Sequence, residues 1–291
     1  MGSNVPLRVY GLQDFRMGGV ARLWKGTVNT GGFVIHRQLQ EQYRFDWKMR
    51  AKFKYGTKIR KKLGRHENIV WSFRTGIREF LPYELIDFVN GPSLQVMLVQ
   101  EPDFIKKHGL NLLVQMAEGI RHCHAAGYLH LDIKAGNFLI DVTNREKPLA
   151  RLTDFDLAMP LKRTKPNKSL RYGTFNYMAP ELLDRGQISA ESDVFSFGVL
   201  AYNMYSGRMP YPGGTPAESR KYKMDPKHPI VPLKEKCAIV PQKLNDIVGR
   251  CLEKDAAMRY SDMTRIVRDL ATTFLLQQLP PDAKTRTLEF F

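Results

Sequence analysis

At Asn90-Gly91-Pro92 the hydrophobic rhythm of the chain changes. Before this turn come short alternating runs at 21–27 and 33–39, joined by the hairpin signal Asn29-Thr30-Gly31-Gly32. A helical spacing follows over 47–63, then strand-like runs at 69–73 and 84–89. After the turn the pattern is mainly helical, over 109–126, 190–206, 242–253 and 260–278. Strands first and helices after predict an α+β protein with two lobes and a hinge at 90–92. The expected organisation is an N-terminal lobe with a short extension over 1–90, a helical lobe over 91–279 and a tail over 280–291.

The 291 residues are 43% hydrophobic and 25% charged, which excludes low-complexity and collagen-like chains. Lys and Arg number 45 against 29 Asp and Glu, a formal net charge of +16. Such a surplus suits an acidic partner, whether nucleic acid, phosphorylated protein or anionic membrane, and equally a solubilising surface. Cys123, Cys237 and Cys251 are odd in number, widely spaced and without metal-ligand spacing. They predict a reducing, intracellular setting, cytoplasmic and/or nuclear. No apolar run approaches the roughly 20 residues of a membrane span. The N-terminus lacks a signal-peptide apolar core.

The residues that carry chemistry start at 130–141, His-Leu-Asp-Ile-Lys-Ala-Gly-Asn-Phe-Leu-Ile-Asp. Next come Thr153-Asp154-Phe155-Asp156, Gly173-Thr174, Ala179-Pro180-Glu181 and Asp193-Val194-Phe195-Ser196-Phe197-Gly198, with Arg259 much later. Each is a weak signal alone; their order and spacing together are strong. From about residue 14 to 278 the chain resembles the protein kinase superfamily. His130-Leu131-Asp132 is similar to the HRD triplet and Asp154-Phe155-Asp156 to DFG. Trp24-Lys25-Gly26-Thr27 and His-Leu-Asp-Ile-Lys give it a tyrosine-kinase-like, Mos-like flavour.

The resemblance implies roles with a physical basis, because phosphoryl transfer rests on positioning and charge neutralisation. Asp132 would accept the proton of the acceptor hydroxyl, and Lys134 would offset phosphate charge. Asn137 and Asp154 would hold Mg²⁺ through hard oxygen ligands. Gly18, Gly19 and Arg37 would face the ATP phosphates, and Ile35, Asp87, Val89 and Leu139 the base. Glu181 and Arg259 would form a buried structural ion pair. The alternative is that Asp132 and Asn137 brace a loop without doing chemistry.

Several positions depart from the family pattern. The Gly-rich loop falls on 16–21, where Arg16 and Ala21 replace two glycines that let backbone approach phosphate. Arg37 replaces the phosphate-binding Lys, and a planar fork is no simple substitute for an ammonium. Ile35 replaces a small residue and should crowd adenine. Met49, Phe53, Gly56, Arg60 and Leu63 share one helix face, with Gly56 where the family needs a glutamate. Arg60 stands where an apolar residue is usual, and Asp156 replaces the glycine of DFG. A buried charge needs a partner, so Arg60 or Arg37 is expected to pair with Asp154 or Asp156, unless Arg60 snorkels to solvent. Leu131 replaces an Arg that grips activation-loop phosphates, so phosphorylation at Thr164 or Ser169 would find no partner there.

From Trp47 to His66 there are nine Lys or Arg and no acid, which suits an acidic docking partner or a solvated face. Trp24, Trp47 and Tyr55 are expected in lobe packing, with base stacking as the alternative. These departures point to a pseudokinase with a degraded nucleotide site, binding ATP and Mg²⁺ weakly or not at all. It would act as a regulator or scaffold on a true kinase or another signalling protein. The alternatives are an atypical, weakly active Ser/Thr kinase and a basic nucleic-acid-binding scaffold.

Overall fold

The computed structural model describes residues 7–162, 175–225 and 227–278. Five antiparallel strands form the N-terminal sheet: β1 (Val9–Met17), β2 (Ala21–Val28), β3 (Phe33–Leu39), β4 (Ser72–Arg78) and β5 (Leu81–Asp87). Their order is β1-β2-β3-β5-β4. Helix α1 (Trp47–Leu63) lies between β3 and β4 in the chain. It starts where the Asp46 carboxylate accepts the Lys48 and Met49 N–H groups, satisfying two orphan donors. It ends at Gly64, whose φ of 72° suits glycine.

Beyond the hinge come α2 (Leu94–Gln100), α3 (Pro102–Ala125), β6 (Tyr128–Leu129), β7 (Phe138–Asp141), β8 (Leu149–Leu152) and β9 (Met159–Pro160). The rest of the lobe is α4 (Pro180–Arg185), α5 (Ala190–Ser206), α6 (Pro216–Met224), α7 (Leu233–Lys236), α8 (Gln242–Cys251) and α9 (Met263–Gln278). The two-lobed α+β architecture is therefore present. No described helix is long and apolar enough to cross a membrane.

Two strand expectations shift. The run expected at 69–73 becomes a strand only from Ser72, and Ile69 makes a single parallel bridge to Leu152. Asn68 donates to the Ala150 carbonyl and Val70 to the Leu152 carbonyl, so 68–70 are claimed by the lobe junction. The second run begins at Leu81 and ends at Asp87, not 84–89.

The lobes share α1. Its Phe53 packs with Ala21, Leu39 and Leu81 under the sheet, while Ile59 and Leu63 join the core of the helical lobe. At the hinge, Ile140 and Val142 of the β7 edge donate to the Pro92 and Asn90 carbonyls. A Cβ on Gly91 would lie 1.9 Å from the Ile140 carbonyl oxygen, so only glycine allows that approach.

Lys223 of α6 is fully buried and donates to the carbonyls of Phe175 (2.8 Å), Asn176 (2.9 Å) and Met178 (2.8 Å). It ties α6 to the chain that leads into α4. Only the ammonium serves all three carbonyls; burial nonetheless pushes its pKa down to about 7, against the raising influence of Glu181. An unfolded lysine titrates near 10.4, so between these values the unfolded chain binds more protons and stability rises with pH. The unfolding free energy of the parent minus that of Lys223→Met should therefore grow from pH 7 to pH 10 in urea titrations. A flat difference would contradict the buried-amine assignment.

Candidate active site

The loop after β6 is shaped from below by α5. Asp193, fully buried, accepts the N–H groups of His130 and Leu131, both at 2.8 Å, and bonds His124 Nε2 at 2.9 Å. Burial raises its carboxyl, but the His124 contact and the backbone donors prevail and hold it below the usual carboxylate range. Leu131 has φ 61°, unusual for a branched side chain, and Asp193 holds it there. The turn brings Lys134 Nζ to 2.7 Å from Asp132 Oδ2. Asn137 Nδ2 donates to the Asp132 carbonyl and to Oδ2, both at 2.8 Å. Among the described residues Oδ1 of Asp132 accepts no hydrogen bond, which leaves it open to a proton.

The strand β8 delivers the second segment. The Thr153 N–H bonds the Asn137 carbonyl at 2.9 Å, and Asp154 follows at φ 62°. Phe155, 1% exposed, meets His130 edge-on with ring centroids 5.0 Å apart. The Arg60 guanidinium lies 5.2 Å from the centre of the Phe155 ring. Asp193, His130, Phe155 and Arg60 thus form one column from α5 to α1.

Arg37 stands at the centre of a buried charge cluster. Its Nη2 lies 2.5 Å from Asp156 Oδ2 and 3.6 Å from Asp154 Oδ1, and its Nη1 lies 3.8 Å from Glu84 Oε2. Arg60 Nε lies 3.4 Å from Glu84 Oε1. Arg37 therefore has the partners the sequence led us to expect. Arg60 does not: it is 1% exposed, which overturns snorkelling, and its carboxylate is Glu84. Sequence reasoning missed Glu84 because it sits amid the apolar run of β5. The signal available was the need of a buried Arg for an acid, and Glu84 is the fully buried residue opposite Arg37 in the β3–β5 register. Burial lowers the Arg37 pKa, but Asp156, Asp154 and Glu84 prevail and raise it. Burial and the Asp154 charge push Asp156 up to about 6 against the pull of Arg37. Arg37 outweighs burial at Asp154 and holds it low.

Three carboxylates face two guanidinium groups here, so one negative charge is in surplus. Asp154 is the most open of the three, its side chain 44% exposed, and its Oδ1 lacks a hydrogen-bond partner. Asn137 spends its N–H groups on Asp132, and its amide oxygen accepts no bond among the described residues. Two hard oxygen donors beside surplus negative charge fit Mg²⁺, which takes few protein ligands together with phosphates and water. Among the described residues no group of three or more His, Cys, Asp or Glu forms a metal site by itself.

Gly18 and Gly19 lie in the β1–β2 turn, neither with positive φ. The Gly18 N–H is spent on the Ala21 carbonyl at 2.8 Å, and Gln40 Nε2 donates to the Gly18 carbonyl at 2.5 Å. Ile35 packs with Val70, Ile86 and Val89, and Leu23 and Leu139 lie against that cluster. The Asp87 carboxylate accepts the Trp71 N–H and pairs with Arg151 at 3.3 Å.

Glu181 and Arg259 form a two-pronged ion pair at 3.0 and 2.9 Å, and Arg259 also donates to the Glu191, Glu253 and Lys254 carbonyls. Leu131 is buried in the helical core. Thr164, Ser169, Gly173 and Thr174 lie outside the described residues. Trp47 is 72% and Tyr55 41% exposed, which corrects the lobe-packing expectation for both. Trp24 packs edge-on to His36 at 5.5 Å.

Removing one partner of a buried pair strands the other, at about 3–5 kcal/mol. Arg60→Leu should cost about that much in chemical denaturation, and adding Glu84→Gln should recover part of it. Additive losses in the double variant would mean the two side chains are not coupled.

A model of the protein kinase domain family matches residues 17–271. The serine/threonine-protein kinase drp72 of Corynebacterium efficiens is 30% identical over 201 residues, 67% of this chain and 36% of the relative. The probable serine/threonine-protein kinase PknB of Lactococcus lactis is 24% identical over 271 residues, 92% of this chain and 42% of the relative. The serine/threonine-protein kinase PknA of Mycobacterium tuberculosis is 28% identical over 251 residues, 84% of this chain and 56% of the relative. These relatives are bacterial serine/threonine kinases, which corrects the tyrosine-kinase-like, Mos-like flavour and leaves the nuclear setting without support. The chain spans 36% to 56% of their lengths. With the family match running from the end of β1 well into α9, this chain belongs to the protein kinase domain family.

Proposed function

We propose that this chain is an ATP- and Mg²⁺-dependent protein serine/threonine kinase domain with a rewired N-lobe. The observation that carries the reading is the catalytic loop. Lys134 Nζ and Asn137 Nδ2 both hold Oδ2 of Asp132, at 2.7 and 2.8 Å, and leave Oδ1 for the acceptor hydroxyl. Asp132 takes that proton as the hydroxyl oxygen bonds the terminal phosphorus of ATP and the bond from that phosphorus to the bridging oxygen breaks, releasing ADP. Lys134 offsets charge on the transferred phosphoryl group. Asn137 and Asp154 would hold the metal, whose chemistry is to neutralise phosphate charge. The serine/threonine kinase relatives support this reading better than a binding module without activity.

A second reading has its own observation. The Arg37 fork is occupied by Asp156, Asp154 and Glu84, so it meets phosphate only by giving up a carboxylate. Ile35 adds bulk beside the base. On that reading the domain is a pseudokinase that acts through a signalling protein or a true kinase. For either, Lys48, Lys52, Lys54, Lys58, Lys61 and Lys62 form no ion pair among the described residues, which favours an acidic protein segment as partner. Nucleic acid has no support from the relatives. The three free thiols, two of them buried, suit a reducing interior.

Calorimetric titration with MgATP, followed by transfer of the terminal phosphate to a protein substrate, tests the proposal. The parent should bind and transfer, Asp154→Asn should lose metal-dependent binding, and Asp132→Asn should lose at least about a hundredfold in turnover. Absence of binding at millimolar MgATP would overturn the kinase reading and leave the binding module.

A further inference from the structure

Helix α1 carries no carboxylate toward Arg37, yet Arg37 is not short of one. The space a side chain at 56 would take is already filled. A Cβ on Gly56 would lie 2.5 Å from Asp156 Oδ1, 3.0 Å from Asp156 Cα and 3.0 Å from the Phe155 carbonyl oxygen. The backbone and carboxylate of Asp156 thus press directly on the helix at its one residue without a side chain. From that notch Asp156 Oδ2 reaches Arg37 Nη2 at 2.5 Å. The surrounding groups are accounted for: Phe53 of α1 has its ring centre 4.5 Å from the Arg37 guanidinium, and Arg60 of α1 is taken by Glu84.

We propose that Gly56 and Asp156 are an exchanged pair: the carboxylate that orients the β3 cation has moved from α1 to the segment after β8. Asp156 is then a positioning residue, acting on Arg37 and, through the shared Nη2, on Asp154. An anchor on α1 would be lost whenever the helix moved outward. An anchor two residues from Asp154 travels with the metal-binding segment. The orientation of Arg37 is thereby tied to the state of 153–156, with α1 supplying packing but no acid. The packing argument stands without the proposed activity; only the kinetic arm below rests on it.

A four-member cycle in the full chain tests the exchange. Gly56→Glu alone should lower Tm, because the new side chain meets Asp156. Asp156→Gly alone should lower Tm, because Arg37 loses its nearest acid. The double variant restores a carboxylate on α1 and empties the notch, so its Tm should return to within about 2 °C of the parent. Losses that simply add would overturn the exchange. Should the glutamate variant fail to fold, Gly56→Ala reads the same contact. It should be destabilised alone and rescued by Asp156→Gly, since alanine is the better helix former once room exists. Alanine that is harmless alone, or not rescued, overturns the proposal equally. In the kinetic arm, Asp156→Gly should raise KM for ATP about tenfold and Gly56→Glu/Asp156→Gly should reverse most of that. Coupling in Tm with no phosphotransfer by the parent would retain the exchange and remove the kinase reading. Phosphotransfer with additive Tm and KM effects would do the opposite.

Discussion

Two guanidinium groups are buried between the N-terminal sheet and α1, and neither could be there without acids beside it. The desolvation of an unpaired guanidinium amounts to several kcal/mol, a large part of the stability of an ordinary domain. Arg37 and Arg60 meet that requirement with acids from two elements: Glu84 from β5, and Asp154 and Asp156 from the segment after β8. Because the cluster draws on β3, β5, α1 and 153–156 at once, displacing any one element strands charge in the others. The sheet, the helix and the segment after β8 therefore take their relative positions from a shared electrostatic condition, not from apolar packing alone.

The Arg60 side chain joins this cluster to the column below it. Its charge answers Glu84 while its guanidinium lies 5.2 Å from the centre of the Phe155 ring, which in turn meets His130 and, through the backbone, Asp193. An apolar residue there would supply the contact without the charge. An arginine supplies both, at the cost of requiring a fully buried acid in a β-strand.

Where local chemistry decides an element, the sequence was sufficient. α5 was legible at both ends because Ser189 caps its start and Gly207, at φ 67°, stops it. The catalytic-loop residues were legible because they lie within a few positions of one another. β1 was not legible because most of its residues are exposed and give no alternating signal. Ile69 and Val70 look like a strand in isolation, and their burial at the lobe junction comes from contacts with Asn68, Ala150 and Leu152. The absent acid at Gly56 could be read directly. What fills its place could not, because Asp156 lies a hundred positions away and nothing local requires the meeting.

Leu131 carries a consequence for the flow of information through the molecule. An arginine at this place would act as a receptor, converting a phosphate written on the loop into a change in the catalytic centre. A buried leucine cannot read that mark, and its strained backbone is held instead by Asp193, which is present from synthesis. In signalling terms the position has changed from an input to a constant. A signal that does not depend on an arginine here can act through the concentration of ligands or through a surface, such as the lysine-rich outer face of α1, that a second macromolecule can address.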